Sequence, residues 1–342
     1  MDHRSLKRFN EQQIINKIIK QSSTVSISNF PSNLKIIKGI GDDAAYWIDN
    51  DFAYCTTTDA LVNNVHFKSD YFTPYDIGRK SIGVNLSDIA AMGASPLGML
   101  ITLGIGQNEG EQWVDDYYKG VLEIAKSFNS PVLGGDLVFS NNIFISVTCF
   151  GYRELNSNHN NNYFLDRSKA EIGDLLYVTG DLGDSKAGLE ILTDDKKVYH
   201  DYEKKLIANH LYKPPRINIG IKLLKLGLKT CIDVSDGLLI DSQRLAESSN
   251  VDIFLNDANL PVSENLKFKF PKSFKEYAMN GGEDYELLFT APPTFKSKLL
   301  EISSDLKISI TEIGKIKKGN GQLFVNEELA NIKGWDHFDS IL

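Results

Sequence analysis

Apolar residues recur along the chain at two spacings that alternate with one another. In one class of segment they return every three or four residues, as at Ile82, Leu86 and Ile89, and this spacing predicts a helix with one buried face. Helices are predicted at residues 8–20, 75–93, 109–128, 185–192, 217–227 and 237–249. In the other class, short apolar runs are bounded by Gly, Asp or Pro, as is typical of buried strands. Strands are predicted within residues 34–67 and at 97–105, 143–153, 174–178, 231–234, 251–255, 286–290 and 308–316.

One segment interrupts this pattern. Residues 156–162 are rich in Asn and have no apolar periodicity, so we interpret them as an exposed loop. Strands and helices intermingle on both sides of the segment, which indicates an α/β (α+β) class. A length of 342 residues suggests two domains. We therefore predict an N-terminal domain over residues 1–153 and a C-terminal domain over residues 154–342.

The composition restricts the class of partner. The chain has 45 acidic and 37 basic residues, and its formal net charge is −8. This excess of acid argues against a large surface for nucleic acid or for an anionic membrane, but it permits phosphate substrates if cations neutralise them. Three scattered cysteines argue against a disulfide framework, and no apolar run approaches the ~18 residues of a membrane span. The expected location is the cytoplasm.

Aspartate stands repeatedly beside glycine, or between a predicted strand and a predicted helix. One such turn is ordinary, because Asp and Gly satisfy local hydrogen bonds and positive φ angles. Six of them suggest a shared site: Gly41-Asp42-Asp43, Thr57-Thr58-Asp59, Asn85-Leu86-Ser87-Asp88, Gly134-Gly135-Asp136, Asp233-Val234-Ser235-Asp236-Gly237 and Gly281-Gly282-Glu283-Asp284. Carboxylates that converge need cations between them, and hard oxygen ligands with nearby hydroxyls favour Mg²⁺. Zinc is disfavoured because no His or Cys cluster is present.

The usual nucleotide motifs do not explain these acids. Residues 39–44 formally match G-x-G-x-x-A, but two adjacent aspartates would oppose a pyrophosphate, and a strand rather than a helix is predicted next. The P-loop spacing and the protein-kinase motifs are absent. If the protein binds a nucleotide, its acids would have to act through Mg²⁺.

Taken together, the acidic segments resemble the thiamine-monophosphate kinase family, within the superfamily typified by aminoimidazole ribonucleotide synthetase. The matching segments occur in the family's order across residues 39–340. They include Val178-Thr179-Gly180 and the run Gly281-Gly282-Glu283-Asp284-Tyr285-Glu286-Leu287. This run, together with His66 seven residues after Asp59, points to the kinase rather than to its synthetase relatives.

The resemblance implies an activity, a fold and an assembly. The activity would be a phosphotransferase reaction in which ATP donates its γ-phosphoryl group to the phosphate of thiamine monophosphate, with several Mg²⁺ ions. The fold would be the two-domain aminoimidazole ribonucleotide synthetase-like fold, with N-terminal sheets that pair across a homodimer and a C-terminal α/β domain that completes the site. No nucleic acid or membrane partner is expected. Phosphoryl transfer depends mainly on positioning and on charge neutralisation, which suits a site rich in metal ligands.

The resemblance also implies a set of metal ligands. Eight residues would hold or water-bridge Mg²⁺: Asp43, Thr57, Thr58, Asp59, Asp88, Asp136, Asp233 and Asp236. Among them, four are expected to be catalytic: Asp59, Asp88, Asp136 and Asp236. Asp42 stays open between a metal ligand and a residue that only shapes its turn.

The remaining implied roles concern the two substrates. ATP would be bound by Tyr118, Gly135, Asp136, Arg167 and Ser235, and Ser235 would act together with the amides of a helix N-terminus. Thiamine monophosphate would contact His66, Asp284 and Trp335, with Trp335 stacked on a ring. Glu283 is the alternative to Asp284.

Two other hypotheses remain. One is another ATP-using synthetase of the same superfamily, and the other is a non-catalytic protein that binds Mg²⁺ or a nucleotide. Incubation with ATP, Mg²⁺ and thiamine monophosphate separates the three.

Overall fold

The computed structural model describes residues 11–22, 31, 33–155, 162–194 and 198–332. The first half of the chain forms one mixed sheet and three helices. The strands are β1 (Lys35–Lys38), β2 (Ala45–Ile48), β3 (Phe52–Val62), β4 (Ser95–Ile105), β5 (Val132–Phe139) and β6 (Phe144–Glu154). They lie in the order β1-β2-β3-β6-β4-β5, and only the β4–β5 pair is parallel. The helices are α1 (Glu11–Ser22), α2 (Pro74–Ala91) and α3 (Glu111–Ser127).

The second half forms a larger mixed sheet. Its strands are β7 (Leu175–Thr179), β8 (Thr230–Val234), β9 (Val251–Leu255), β10 (Glu286–Ala291), β11 (Ile310–Lys318), β12 (Leu323–Val325) and β13 (Glu328–Leu329). The order is β13-β12-β9-β11-β7-β10-β8, with β12 and β9 parallel. The helices are α4 (Asp184–Thr193), α5 (Asp201–Leu211), α6 (Ile217–Lys225), α7 (Leu238–Ser249), α8 (Glu264–Lys269), α9 (Phe274–Asn280) and α10 (Lys296–Leu306).

Helix α2 joins the two halves. It packs on β3 and β6 of the first sheet and also on α6 and β8 of the second half. A Cβ atom on Gly220 of α6 would lie 2.0 Å from the Ala90 carbonyl oxygen, so glycine permits this close crossing. Ile82 and Leu86 share one apolar core with Ile219 and Leu287 from the second half. Helix α2 therefore fixes β8 against the first sheet, and this determines which acidic segments meet.

Every helix and strand predicted from apolar spacing has a counterpart within a few residues, and the α/β class is confirmed. The spacing missed the helices α5, α8, α9 and α10 and the strands β5, β12 and β13. In α5 and α10 the buried apolar stripes are short, with Leu206 and Ile207 in α5 and Leu299 and Ile302 in α10. Within the described residues, no helix is long and apolar enough to cross a membrane. The three cysteines are buried and form no disulfide.

Three of the six acidic segments lie inside a helix or a strand. Two of these placements agree with the helix predicted at 75–93 and the strands predicted within 34–67, whereas no strand was predicted at Gly134-Gly135-Asp136. Thr57-Thr58-Asp59 lies inside β3, residues 85–88 lie inside α2, and Gly134-Gly135-Asp136 lies inside β5. Gly and Asp are poor strand formers, so their composition indicated a turn. A Cβ atom on Gly135 would lie 1.8 Å from the Ile101 carbonyl oxygen, so this glycine is needed because β4 approaches closely. Residues 156–161 of the Asn-rich segment are outside the described residues.

Candidate active site

Three of the predicted acids converge between the two halves of the chain. Asp43 follows β1, Asp88 lies in the last turn of α2, and Asp233 lies on β8. One carboxylate oxygen of each lies within 4.8 Å of the other two. The side chains come from three elements that are far apart in sequence, so the fold itself assembles this group, which we call the three-carboxylate cluster.

Hydroxyl groups orient two of the three carboxylates. Thr57 Oγ1 donates to Asp88 Oδ2 at 2.6 Å, and Ser87 Oγ donates to Asp233 Oδ2 at 2.6 Å. The Asp59 amide donates to Asn85 Oδ1 at 2.9 Å, which ties β3 to α2 beside the cluster. The segment Asn85–Asp88 therefore supplies one carboxylate of the cluster, and its Asn85 and Ser87 side chains hold Asp59 and Asp233 in place.

The electrostatics of the cluster favour an external cation. Burial and the neighbouring carboxylates raise the pKa of Asp88 well above its usual value, and burial raises the pKa of Asp233 to about 7. Burial also raises the pKa of Asp43, although Arg167 opposes this shift. The buried Oδ2 atom of Asp43 has no hydrogen-bond partner in the part of the chain that the structure describes. Carboxylate oxygens that lack protein cations in a dry site are suitable ligands for Mg²⁺, so the residues present fit this metal.

Ion pairs between charged side chains surround the turn before β2. The guanidinium of Arg167 contacts Asp43 Oδ1 at 2.7 Å and Asp42 Oδ1 at 3.4 Å. Lys38 Nζ pairs with Asp42 Oδ2 at 3.2 Å and with Asp166 Oδ1 at 2.9 Å. Asp42 also accepts the Asp43 amide at 3.0 Å. These contacts favour Asp42 as a turn-shaping residue rather than a metal ligand.

The turn between β8 and α7 is held by an internal carboxylate. Asp241 Oδ2 accepts the backbone amides of Ser235, Asp236 and Gly237 at 3.1, 3.1 and 3.2 Å. Arg244 Nη1 bridges Asp241 Oδ1 at 2.7 Å and Asp236 Oδ2 at 2.6 Å. The expectation that these amides bind phosphate together with Ser235 is corrected, because Asp241 already occupies them. Asp236 lies outside the three-carboxylate cluster and faces Arg244.

Period-two alternation separates the acids and hydroxyls of β3. Thr57 and Asp59 face α2, and Asp59 is close enough to contribute to the raised pKa of Asp88. The Thr58 hydroxyl faces the opposite side of the sheet, where it donates to the Val147 carbonyl at 3.0 Å and accepts from Thr148. The Thr58 side chain therefore does not join the cluster, because a residue next to Thr57 points to the other face.

Two predicted nucleotide contacts, Gly135 and Asp136, lie on the edge strand β5, away from the cluster. Asp136 is exposed on β5, and its Oδ1 accepts a hydrogen bond from the backbone amide of Leu137 at 2.9 Å. Three strand spacings separate β5 from β3, which is about 14 Å. Tyr118 on α3 is half-buried against Tyr117, with ring centroids 5.3 Å apart. Within one copy of the chain, one ion therefore does not bridge Asp136 and Asp59.

The loop between α9 and β10 carries both candidate contacts for thiamine, Glu283 and Asp284, and buries them to different extents. Asp284 is fully buried, and its carboxylate accepts the Gly183 amide at 2.7 Å and the Ser185 amide at 3.4 Å. Asp284 thus caps α4, which corrects its expected role as a substrate contact. Glu283 keeps 28% of its side chain exposed and interacts electrostatically with His66. His66 Nδ1 accepts the Val62 amide at 3.0 Å, and Trp335 lies outside the described residues.

The chain is similar to known proteins over nearly its whole length. Residues 41–152 match the N-terminal domain of AIR synthase related proteins, and residues 171–326 match the C-terminal domain. A thiamine-monophosphate kinase from Aquifex aeolicus is 37% identical over 309 residues, covering 88% of this chain and 93% of that protein. The one from Haemophilus influenzae is 34% identical over 342 residues, covering 97% and 96%. The solved structure of AaThiL complexed with AMPPCP and TMP is 34% identical, with a TM-score of 0.85 over 98% of this chain and 100% of that one.

This chain belongs to the thiamine-monophosphate kinase family of AIR synthase related proteins.

Membership of the thiamine-monophosphate kinase family confirms the fold expected from the sequence, and the structure adds residues that the sequence did not single out. Ser87, Asn85, Asp241 and Arg244 all hold predicted site residues in place. For Asp241 and Arg244 a signal was available. An acid in the first turn of a helix, followed three residues later by Arg, is a pairing that stabilises a helix start. For Ser87 the partner on β8 depends on the tertiary fold.

Proposed function

We propose that this chain transfers the γ-phosphoryl group of ATP to the phosphate of thiamine monophosphate, giving thiamine diphosphate and ADP. The single observation that carries the proposal is the convergence of Asp43, Asp88 and Asp233 from both halves of the chain. Relatives named thiamine-monophosphate kinase are 34–37% identical over nearly the whole length, and a solved relative is described as a complex with AMPPCP, an analogue of ATP, and TMP.

In the proposed reaction a phosphate oxygen of thiamine monophosphate forms a bond to the γ-phosphorus, and the bond from that phosphorus to the β-bridging oxygen breaks. ADP leaves with the electron pair, and because a phosphate oxygen is already anionic, no general base is required. Mg²⁺ held by the three-carboxylate cluster would neutralise charge on the phosphate oxygens. Asp59 and Asp236, which lie outside the three-carboxylate cluster, remain proposed Mg²⁺ ligands. Thr57 orients Asp88.

Cationic side chains of the protein complete the neutralisation. Arg167 already lies against the cluster, 2.7 Å from Asp43, which supports its proposed contact with an ATP phosphate. Ser235 remains a proposed contact through its side chain. Tyr118, Gly135 and Asp136 remain proposals that rest on the family resemblance.

The acceptor substrate is assigned to the rim formed by His66 and Glu283. Thiamine carries a cationic ring, and a partly exposed carboxylate is the suitable partner for it. Glu283 replaces the buried Asp284 in this role because only Glu283 is exposed. Trp335 stays a proposed ring contact.

We also propose a homodimer formed through the first sheet. Strand β5 is the edge of that sheet, and it exposes Leu133, Leu137 and Phe139 at 57%, 64% and 71%. An exposed apolar edge strand is a template for pairing with another chain.

The boundary between residues 153 and 154 is kept as a proposal, supported by the end of β6 at Glu154 and the start of β7 at Leu175. The cytoplasm remains the proposed location.

The decisive experiment incubates the purified chain with ATP, Mg²⁺ and thiamine monophosphate. We expect thiamine diphosphate and ADP in equal amounts, and no product after EDTA is added. ADP formation that depends on a different acceptor would instead indicate a synthetase of the same superfamily. Tight Mg²⁺ or ATP binding with no turnover of any acceptor would indicate a binding protein.

A further inference from the structure

A buried lysine on α2 reaches the loop that carries Glu283. Lys80 is 3% exposed, and its Nζ atom lies 2.8 Å from Glu283 Oε1 and 3.4 Å from the His210 carbonyl oxygen. It also lies 5.2 Å from the centroid of the Phe72 ring. Burying an ammonium group is unfavourable unless a charge and hydrogen bonds compensate for it. Lys80 therefore depends on Glu283, although the two residues come from different halves of the chain.

Glu283 is fixed on its buried side and open on the other. Its backbone has φ of +65°, and its amide donates to the Ser235 carbonyl at 2.7 Å, so the loop is tied to the turn after β8. Glu283 Oε2 lies 3.4 Å from His210 Nδ1, and the same nitrogen lies 3.1 Å from Ser185 Oγ. Both carboxylate oxygens of Glu283 thus have a fixed neighbour, while 28% of the side chain stays exposed.

Lys80 is the cation that keeps this carboxylate charged. Burial lowers the pKa of His210 to about 4, so its ring is neutral near pH 7. Burial raises the pKa of Glu283, but its neighbours, Lys80 foremost among them, lower it by a larger amount, so the net pKa lies below its usual value. A neutral imidazole adds no charge beside Glu283, whereas the ammonium group of Lys80 does.

We propose that Lys80 is a positioning residue for the acceptor substrate, because it fixes the Glu283 carboxylate beside His66 in the orientation that receives an organic cation bearing a phosphate. This inference rests on the proposed function. Lys80 lies eight residues before Asp88 in α2, which is about 12 Å along the helix axis. One rigid helix therefore sets the distance between the three-carboxylate cluster and the loop that receives the cationic part of the substrate.

A double-mutant cycle tests whether Lys80 acts through Glu283. The variants are Lys80→Met, Glu283→Gln and the two combined, with Lys80→Arg as the conservative rescue. We expect Lys80→Met to raise KM for thiamine monophosphate at least about tenfold, the effect of losing one charge-assisted hydrogen bond, while KM for ATP changes less than about twofold. In the Glu283→Gln background, the same substitution should change KM for thiamine monophosphate less than about twofold. Lys80→Arg should recover part of the affinity.

Two further measurements keep the result interpretable. Calorimetric binding of thiamine monophosphate without ATP reports positioning even if the wild-type chain shows no turnover. Thermal unfolding reports folding, and we expect the combined variant to melt above Lys80→Met, because it leaves no unpaired buried charge. Binding of thiamine monophosphate is compared among variants at the same concentration of folded protein.

Several results would overturn the proposal. An unchanged affinity for thiamine monophosphate in Lys80→Met would do so, as would an equal effect on both substrates or the same fold-change in the Glu283→Gln background. Any of these with an active wild type leaves the proposed function intact. A wild type that binds thiamine monophosphate but forms no thiamine diphosphate would instead reject the proposed function alone, and one that does not bind it would reject both.

Discussion

Two buried carboxylates, Glu286 and Asp233, lie on neighbouring strands of the second sheet, and their charges are compensated in opposite ways. Glu286 on β10 is fully buried, and it contacts Lys213 at 3.1 Å, Arg216 at 2.5 and 2.6 Å and Thr179 at 2.6 Å. Burial raises the pKa of Glu286, but Lys213 and Arg216 lower it by a larger amount. The net pKa lies below its usual value. Asp233 on β8 belongs to the three-carboxylate cluster, and its pKa is raised.

We propose that this difference separates buried acids that serve the fold from buried acids that serve chemistry. Glu286 has its full set of partners within the protein, so it holds β10 to the segment before α6 and leaves no capacity for a ligand. The three-carboxylate cluster is incomplete in charge, since only Arg167 reaches one of its members among the described residues. Burial alone does not distinguish the two groups, whereas the balance of charge does. The predictions below test this distinction.

The largest effect is expected for Asp88→Asn. Removing one charge from the three-carboxylate cluster should reduce kcat for thiamine diphosphate formation by about a thousandfold or more, because charge neutralisation of the phosphates is the main catalytic requirement. The melting temperature in EDTA should stay the same or rise, since repulsion among the carboxylates is relieved. Asp115→Asn on the exposed surface of α3 is the matched control. A variant that keeps its turnover would remove Asp88 from the proposed metal site.

Glu286→Gln should show the reverse combination. The substitution leaves Lys213 and Arg216 buried without their anion, which should lower the free energy of unfolding by about 3–5 kcal/mol. Chemical denaturation of this variant and of Glu264→Gln, whose side chain is 90% exposed, measures the difference. Mg²⁺ affinity of the folded fraction should be unchanged. If Glu286→Gln weakened Mg²⁺ binding without loss of stability, the assignment of the two groups would be exchanged.

The pH dependence of stability sharpens the same contrast. Burial raises the pKa of Asp233 to about 7 in the folded chain, against about 3.9 for an unfolded Asp. The folded state therefore binds more protons between these values, and stability falls as pH rises through this range. Asp88 and Asp43 act in the same direction. In EDTA we expect the melting temperature to drop by at least about 4 °C between pH 5.5 and pH 8.

Saturating Mg²⁺ should abolish most of this decline, because the metal binds the deprotonated carboxylates and stabilises the folded state that holds them. A melting temperature in EDTA that rises over the same pH interval would contradict the raised pKa values and hence the charge imbalance of the cluster.

The sequence predicted the elements better than it predicted the geometry of the site. Apolar spacing located α2 and β8 because each buries a regular stripe or run, and Asp88 and Asp233, which they carry, lie close together in the structure. Which acids meet depends on how α2 packs against β8, through contacts such as Gly220 with Ala90, and these are invisible to periodicity. For the same reason the sequence could not distinguish Asp284, which caps α4, from its exposed neighbour Glu283. Strand alternation within the region predicted as strand would have separated Thr58 from Thr57, but the bounds of β3 were not predicted residue by residue.

The smallest effect is expected for Asp241→Asn, which tests whether a carboxylate outside the three-carboxylate cluster sets the geometry of its rim. The Asn carbonyl still accepts amides from Ser235, Asp236 and Gly237, but the ion pair with Arg244 is lost, so Arg244 no longer holds Asp236 against a fixed anchor. Mg²⁺ affinity measured by calorimetry should fall about tenfold, less than for a direct ligand and at the low end of what is typical for a residue that holds a metal ligand in place. Arg244→Gln, which removes the other member of the ion pair, should reproduce the change. If Asp241→Asn lowered only the melting temperature and left Mg²⁺ affinity unchanged, Asp241 would belong with Glu286 among the acids that serve the fold.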